Sequence, residues 1–341
     1  MTPADTKKAE IATQLRDFVR AQTEDPSADV AEIEPLPGHA GFSYSFILQR
    51  HSAGESHAQK LVLRLAPPNV RAAGPADVVR QARVMQSLTA SEVPVPPVLW
   101  FGDDTRWFGR PYSVVGFVAG DQLTLGKRTF AAEEVHSMVR SLLAAMAALH
   151  AVDWPPLQPI WGEPQSLAEE LIRLDHLLDR PTLDPQLAAR GLELRGRLKS
   201  SLPSAPRIGC VHGDLQWTNG LFFEGRLNAL IDWELCQVGA TLVDLGWLCL
   251  FSDPDGWVGG DLVPKLVPTP DGIVDLYEQL AGVPVAPAEI RWFRAFAGYR
   301  FGVITLFNLM LHRRGKRPDP MWEDIALSAP RLFEHGLELI S

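Results

Sequence analysis

Residues 209–248 read GCVHGDLQWTNGLFFEGRLNALIDWELCQVGATLVDLGWL. Within them His212, Asp214 and Asn219 stand in the spacing H-x-D-L-x-x-x-N, and Asp232 follows the apolar pair Leu230-Ile231. The intervening FFEGRLNAL has the glycine and the alternation of a hairpin, so the chain leaves Asn219 and returns with Asp232. Either motif alone is explained by a turn or a capped strand end. The two together, with a further acid at Asp244, have the spacing of a phosphotransfer loop followed by its metal aspartate.

The residue types suit that chemistry. Phosphoryl transfer needs a carboxylate beside the attacking hydroxyl, the role open to Asp214. Mg²⁺ takes hard oxygens from one or two side chains and the rest from phosphate and water, which matches Asn219 and Asp232. His212, two residues before the carboxylate, reads as a brace for the loop backbone. A metal-dependent hydrolase built on His212 and Asp214 lacks a second histidine nearby.

Outward from this block the chain changes character. An amphipathic helix is expected over 7–22, then polar sequence to Pro37, then strands over 44–49 and 61–65 with a loop over 51–59. In LVLRL, Leu61, Leu63 and Leu65 share one face, and Val62 and Arg64 the other. A helix over 76–88, an extended VPVPPVLWF and a strand over 112–118 complete a small β-rich unit. Helices are expected beyond it over 133–150, 166–178, 185–202, 272–280 and 288–312, with a short one at the C-terminus and an irregular region over 209–246.

Composition narrows the function classes. The 341 residues carry 32 Lys plus Arg and 41 Asp plus Glu, a net charge of −9, which argues against a phosphate-gripping nucleic-acid surface. The three cysteines, Cys210, Cys236 and Cys249, make neither a disulfide framework nor a CxxC metal site, and they fit a reducing cytoplasm. The most apolar stretch, 302–311, is half the ~20 residues of a membrane span, so no membrane partner is expected. The 27 Gly and 28 Pro exceed the usual ~12% and imply many turns. Nothing like a coiled coil fixes an oligomeric state.

The motifs VHGDLQWTN, LIDWE and VDLGWL, with VPVPPVL, GRPYSVVGFVAG and LHAVDW in support, resemble the aminoglycoside phosphotransferase and choline kinase superfamily. The similarity is strongest to its branch of hydroxyl kinases related to the kinase domain of certain acyl-CoA dehydrogenases. It implies an α+β, protein-kinase-like bilobal fold. Residues 1–118 would form a small β-rich nucleotide-binding lobe, and 119–341 a large, mainly helical lobe with the catalytic and acceptor groups.

The resemblance also implies ATP, with GTP as the alternative, and Mg²⁺. Asp214 would be the base, supported by His212, with Asn219 and Asp232 as metal ligands. Arg64 would contact the α and β phosphates, Gly41 and Ser43 would lie in the loop over the phosphates, and the backbone of Val115, Phe117 and Val118 would meet adenine. Gln81 stands where the family has a Glu that anchors the strand cation, GHAGFSYS lacks a full GxGxxG, and GATLVDL replaces GDPxxDL.

The acceptor expected is a small molecule with a hydroxyl: a hydroxy acid, a hydroxyacyl thioester or another hydroxylated metabolite. An aminoglycoside or macrolide phosphotransferase is one alternative, and a nucleotide-binding regulator without turnover is another. Glu234, Trp217 and Arg300 are the candidate acceptor contacts, Arg300 because a cation inside an apolar helix needs a partner. Trp233, Trp247, Trp292 and Tyr299 are further aromatics able to line a pocket, although large aromatics more often form core.

Overall fold

The computed structural model describes residues 3–36, 42–52, 55–68, 74–124, 129–180, 185–259 and 263–341. The chain divides into two compact units, one of Met1–Ala90, Pro94–Ala119 and Ala229–Leu235, the other of Ser91–Val93, Gly120–Asn228 and Cys236–Ser341. Among the described residues no single helix is long and apolar enough to cross a membrane.

The first unit runs α1 (Pro3–Thr23), β1 (Asp29–Pro35), β2 (Ser43–Ser52), β3 (Glu55–Leu65), α2 (Val78–Ser87), β4 (Val98–Gly102), α3 (Thr105–Phe108) and β5 (Tyr112–Gly116). Its strands form one antiparallel sheet in the order β1-β2-β3-β5-β4. The alternation of LVLRL holds: Leu61, Leu63 and Leu65 are buried, while Arg64 is half-buried on the other face. On the buried face Phe18 of α1 makes edge contacts with Trp100, Trp107 and Tyr112. Truncating such an aromatic to Ala costs about 3–5 kcal/mol.

Two expectations for this unit are corrected. Within the polar stretch 51–59, residues 51–52 and 55–59 are strand rather than loop, because β2 and β3 stay paired from Ser43↔Arg64 out to Ser52↔Glu55. Its residues are polar because that end of the hairpin is exposed, as at Gln49, Arg50 and 56–60. The polar sequence before Pro37 contains β1, whose pairing shifts register between Ala31 and Glu34, with Glu32 at φ 49. That bulge leaves the buried residues Val30 and Ile33 three apart, so the strand lacks a period of two.

The second unit holds α4 (Ala132–His150), α5 (Gln158–Trp161), α6 (Leu167–Leu178), α7 (Pro185–Ser200), β6 (Ile208–Val211), β7 (Gly220–Phe223), β8 (Arg226–Leu230), β9 (Gln237–Ala240), α8 (Leu242–Leu250), α9 (Pro270–Ala281), α10 (Pro287–Arg313), α11 (Met321–Ile325) and α12 (Ala329–Leu339). Helix α6 starts at a capping box, with Ser166 and Glu169 satisfying each other's backbone amides. Helix α10 is the packing axis and contacts α6, α7, α8 and α12.

The region 209–246 is more regular than expected. It contains the antiparallel pair β6–β9, the hairpin β7–β8 and the start of α8. Through β8 the chain passes from the second unit into the first, which includes Ala229–Leu235. There the single turn Trp233–Leu235 packs on α2.

Candidate functional site

In the second unit, β6 and β9 frame the loop. Their register ends at Val211↔Gln237, so His212, Gly213 and Asp214 leave the sheet directly while β9 leads into α8. Gly213 turns the chain at φ 80, a conformation L side chains rarely adopt. Asp244, in the first turn of α8, accepts from the His212 N–H on Oδ2 and from the Gly213 N–H on Oδ1, both at 2.8 Å. It is fully buried, and His150 Nε2 lies 3.3 Å from Oδ2. His150 Nδ1 meets the Tyr277 hydroxyl at 2.8 Å, and burial pushes that phenol up to about 12.

This clamp presents a half-buried Asp214. Its Oδ1 accepts from Trp247 Nε1 at 2.8 Å and from Gln216 Nε2 at 3.1 Å, and its Oδ2 accepts from Asn219 Nδ2 at 2.9 Å. Asn219 Nδ2 also donates to the Asp214 carbonyl at 2.7 Å. With both amide protons so directed, Oδ1 of Asn219 is the oxygen available to a cation. His212 is buried, and its Nδ1 accepts from the Asp214 N–H at 3.3 Å, so the ring braces the loop.

In the first unit, Arg64 Nη2 donates to Asp232 Oδ1 at 3.2 Å, with both side chains partly exposed. Asp232 has φ 68, and Asp tolerates this left-handed region better than most residues. Ser43 pairs with Arg64 across β2 and β3. Gly41 lies outside the described residues. Gln81 is buried on α2.

At the end of β5, Gly116 N–H donates to the Pro97 carbonyl and Phe117 N–H to the Lys60 carbonyl. The Val118 N–H has no acceptor among the described residues. Val115 is buried, whereas the Phe117 ring is 40% exposed under the Lys60 ammonium. The half-exposed Glu234 follows in the turn after Asp232.

The aromatics singled out in the sequence are buried. Trp217 donates to Ser252 Oγ at 3.1 Å, Tyr299 donates to Asp175, and Trp233 and Trp292 donate to backbone carbonyls. Arg300 is buried over the face of Trp247. Cys210 is buried next to the loop, and desolvation pushes its thiol up to about 12, far from a nucleophile.

Sequence reasoning gave neither Trp247 nor His150 its place. Trp247 was legible in principle, since it stands three residues after Asp244 on one helix and so shares a face with it. His150, a polar residue ending the apolar stripe of α4, carried the weaker signal.

The donor set agrees with Mg²⁺ chemistry. Among the described residues no three His, Cys, Asp or Glu side chains gather into a metal cage. Mg²⁺ bound with phosphates needs only one or two protein oxygens, and each unit carries a candidate of its own, Asn219 Oδ1 in the second and Asp232 Oδ2 in the first.

The model of the phosphotransferase enzyme family (APH) matches residues 32–296. "Probable acyl-CoA dehydrogenase IBR3" of Arabidopsis thaliana is 25% identical over 284 residues, 77% of this chain and 34% of that protein. The chain spans about a third or less of the length of this and the next curated relatives it matches.

Among solved structures, a thermostable mutant of aminoglycoside phosphotransferase APH(4)-Ia in ternary complex with ADP and hygromycin B has a TM-score of 0.63 at 17% identity, covering 95% of this chain and 98% of its own. A choline/ethanolamine kinase family protein from Mesorhizobium loti has a TM-score of 0.59 at 17% identity, covering 97% and 99%. These likenesses establish the shared kinase-like α+β fold.

Proposed function

The chain belongs to the phosphotransferase enzyme family, and from that premise we propose that it is an ATP-dependent kinase of a hydroxyl on a small molecule. The observation that carries this reading is the Asp214 carboxylate, held by Trp247, Gln216 and Asn219 on a loop clamped by Asp244. Such a group is fixed in direction before substrate arrives, as a positioned base must be.

In the proposed reaction Asp214 accepts a hydrogen bond from the acceptor hydroxyl and orients its oxygen in line with the γ-phosphorus. The new O–P bond forms as the β–γ bridging bond breaks, ADP leaves, and the hydroxyl proton passes to Asp214. Arg64 pairs with phosphate oxygens, where its forked donors suit the geometry. Asn219 and Asp232 are the proposed ligands of Mg²⁺, which when bound offsets the charge on the phosphates. The Val118 N–H is the proposed donor to adenine, and Ser43 lies on the strand paired with Arg64. Residues 1–118 are the proposed nucleotide-binding part, and 119–341 the proposed catalytic and acceptor-binding part.

The acceptor we favour is a hydroxy acid or hydroxyacyl thioester. The support is the series of curated relatives named as acyl-CoA dehydrogenase family members, alongside a structural neighbour solved with an aminoglycoside. A regulator that binds ATP without turnover draws support from the neutral Gln81 on α2.

The test is ADP production from MgATP with hydroxy acids, hydroxyacyl thioesters, amino sugars, macrolides and choline-like amines. Phosphate transfer to one of them, abolished in Asp214→Asn, is expected. ATP binding without transfer to any acceptor would give the regulator reading precedence.

A further inference from the structure

Arg300 is an expensive residue where it stands. It sits in the middle of α10, 4% exposed, in the stretch Tyr299–Met310, where most residues are buried. Its Nη1 has no hydrogen-bond partner among the described residues. Burial depresses its proton affinity, opposed by the field of Glu170, with Arg173 adding repulsion and Asp214 and Asp244 adding attraction. Burying a charge is costly unless it is paired and hydrogen-bonded, and among the described residues no ion pair to Arg300 is seen. The cation therefore calls for a role other than packing.

The group it meets is an aromatic face. The guanidinium carbon lies 4.6 Å from the centroid of Trp247, and the same indole donates its N–H to Asp214 at 2.8 Å. Phe251 and Phe301 meet the ring in edge contacts at 5.5 and 5.8 Å. A cation over an indole face is attracted by the ring's negative quadrupole and draws electron density from the N–H, making it a stronger donor. Gln216 shares the same carboxylate oxygen but is half-exposed, whereas the indole is buried.

We propose that Arg300 is a positioning residue of this site: stacked on Trp247, it holds the indole whose N–H fixes the direction of the Asp214 carboxylate. The proposal rests on Asp214 being the base of the reaction. Arg300 itself touches no reacting atom and acts through the ring.

The test uses the full chain, labelled with ¹⁵N, and four variants. Trp247→Phe removes one indole N–H resonance and so assigns it. That resonance is expected to move in Asp214→Asn and in Arg300→Met, and to return toward its wild-type position in Arg300→Lys. In parallel, hydrolysis of MgATP alone is followed, a probe that needs no acceptor. Its kcat is expected to fall about tenfold in Arg300→Met and Trp247→Phe, with KM for ATP unchanged and part of the rate recovered in Arg300→Lys.

An indole resonance that stays in place in Arg300→Met overturns the proposal, as does a moved resonance with wild-type kcat. Should Arg300→Met not fold, Trp247→Phe decides, because wild-type kcat without the indole N–H is equally fatal. Full MgATP turnover in Asp214→Asn refutes the base itself and the positioning role with it. Failure of Arg300→Met alone leaves the base intact.

Discussion

Arg64 and Asp232, 168 residues apart in the chain, meet at 3.2 Å between Nη2 and Oδ1. The first comes from the half-buried face of β3, and the second from a backbone at φ 68 just after β8. Each is a partner for the other and, in the proposed reaction, for a part of MgATP of opposite charge. Nucleotide binding would exchange one ion pair for two.

Arg64→Met is therefore expected to raise KM for ATP about 10- to 100-fold, the value of one or two charge-assisted hydrogen bonds. Asp232→Asn is expected to abolish Mg²⁺-dependent turnover while leaving the fold intact. Initial rates at varied ATP and Mg²⁺, with thermal melting as the control, check both.

The Asp244 clamp gives a stability prediction. Asp244→Ala strands the His212 and Gly213 N–H groups in a fully buried site and removes a neighbour of His150. The loss is expected to be about 3 kcal/mol or more. A lowered urea midpoint with unchanged m checks it. A wild-type midpoint would mean that β6 and β9 hold the loop unaided.

Much of this candidate site could be read ahead of the structure because its residues lie close together in sequence. Asp214, Asn219 and Asp244 lie within one 40-residue block, and the alternation of LVLRL already placed Arg64 opposite its leucines. What escaped lay outside local patterning. The β1 bulge removes the period of two at Val30 and Ile33, and the exposed end of the β2–β3 hairpin reads as loop because both its faces are polar. The hydrogen bond from Trp247 to Asp214 is a tertiary contact: spacing puts Trp247 on the helix face of Asp244 but does not give its partner.

A second, partly buried network yields a pH prediction. His335 on α12 bonds Asp253 at 2.9 Å, and Arg294 on α10 bonds the same oxygen at 3.0 Å. The bond to Asp253, opposed by burial, holds His335 above its ordinary 6.5. Burial alone would raise Asp253, but His335 and Arg294 outweigh it and hold the carboxylate below 3.8.

The histidine's contribution is fully present below 6.5 and is lost as pH rises through its raised value. The aspartate's contribution is present above 3.8 and is lost as pH falls through its lowered value. The melting temperature of the wild type should exceed that of His335→Gln most between pH 4 and 6.5, and the gap should narrow toward pH 9. A gap independent of pH would assign the histidine a packing role alone.

Gly246 tests whether the distance between α8 and α10 sets the base. A Cβ there would lie 2.6 Å from the Phe293 carbonyl oxygen, a backbone atom that cannot swing aside. Gly246→Ala must therefore move α8 against α10, at a cost of about 1–3 kcal/mol. The next residue is Trp247, so the same displacement shifts the indole relative to both Asp214 on the loop and Arg300 on α10. If close helix packing positions the base, kcat in Gly246→Ala should fall at temperatures well below its melting point, with KM for ATP unchanged. A variant that melts earlier but turns over at the wild-type rate while folded would show that the loop, through Asp244 and Asn219, orients Asp214 without help from the helix crossing.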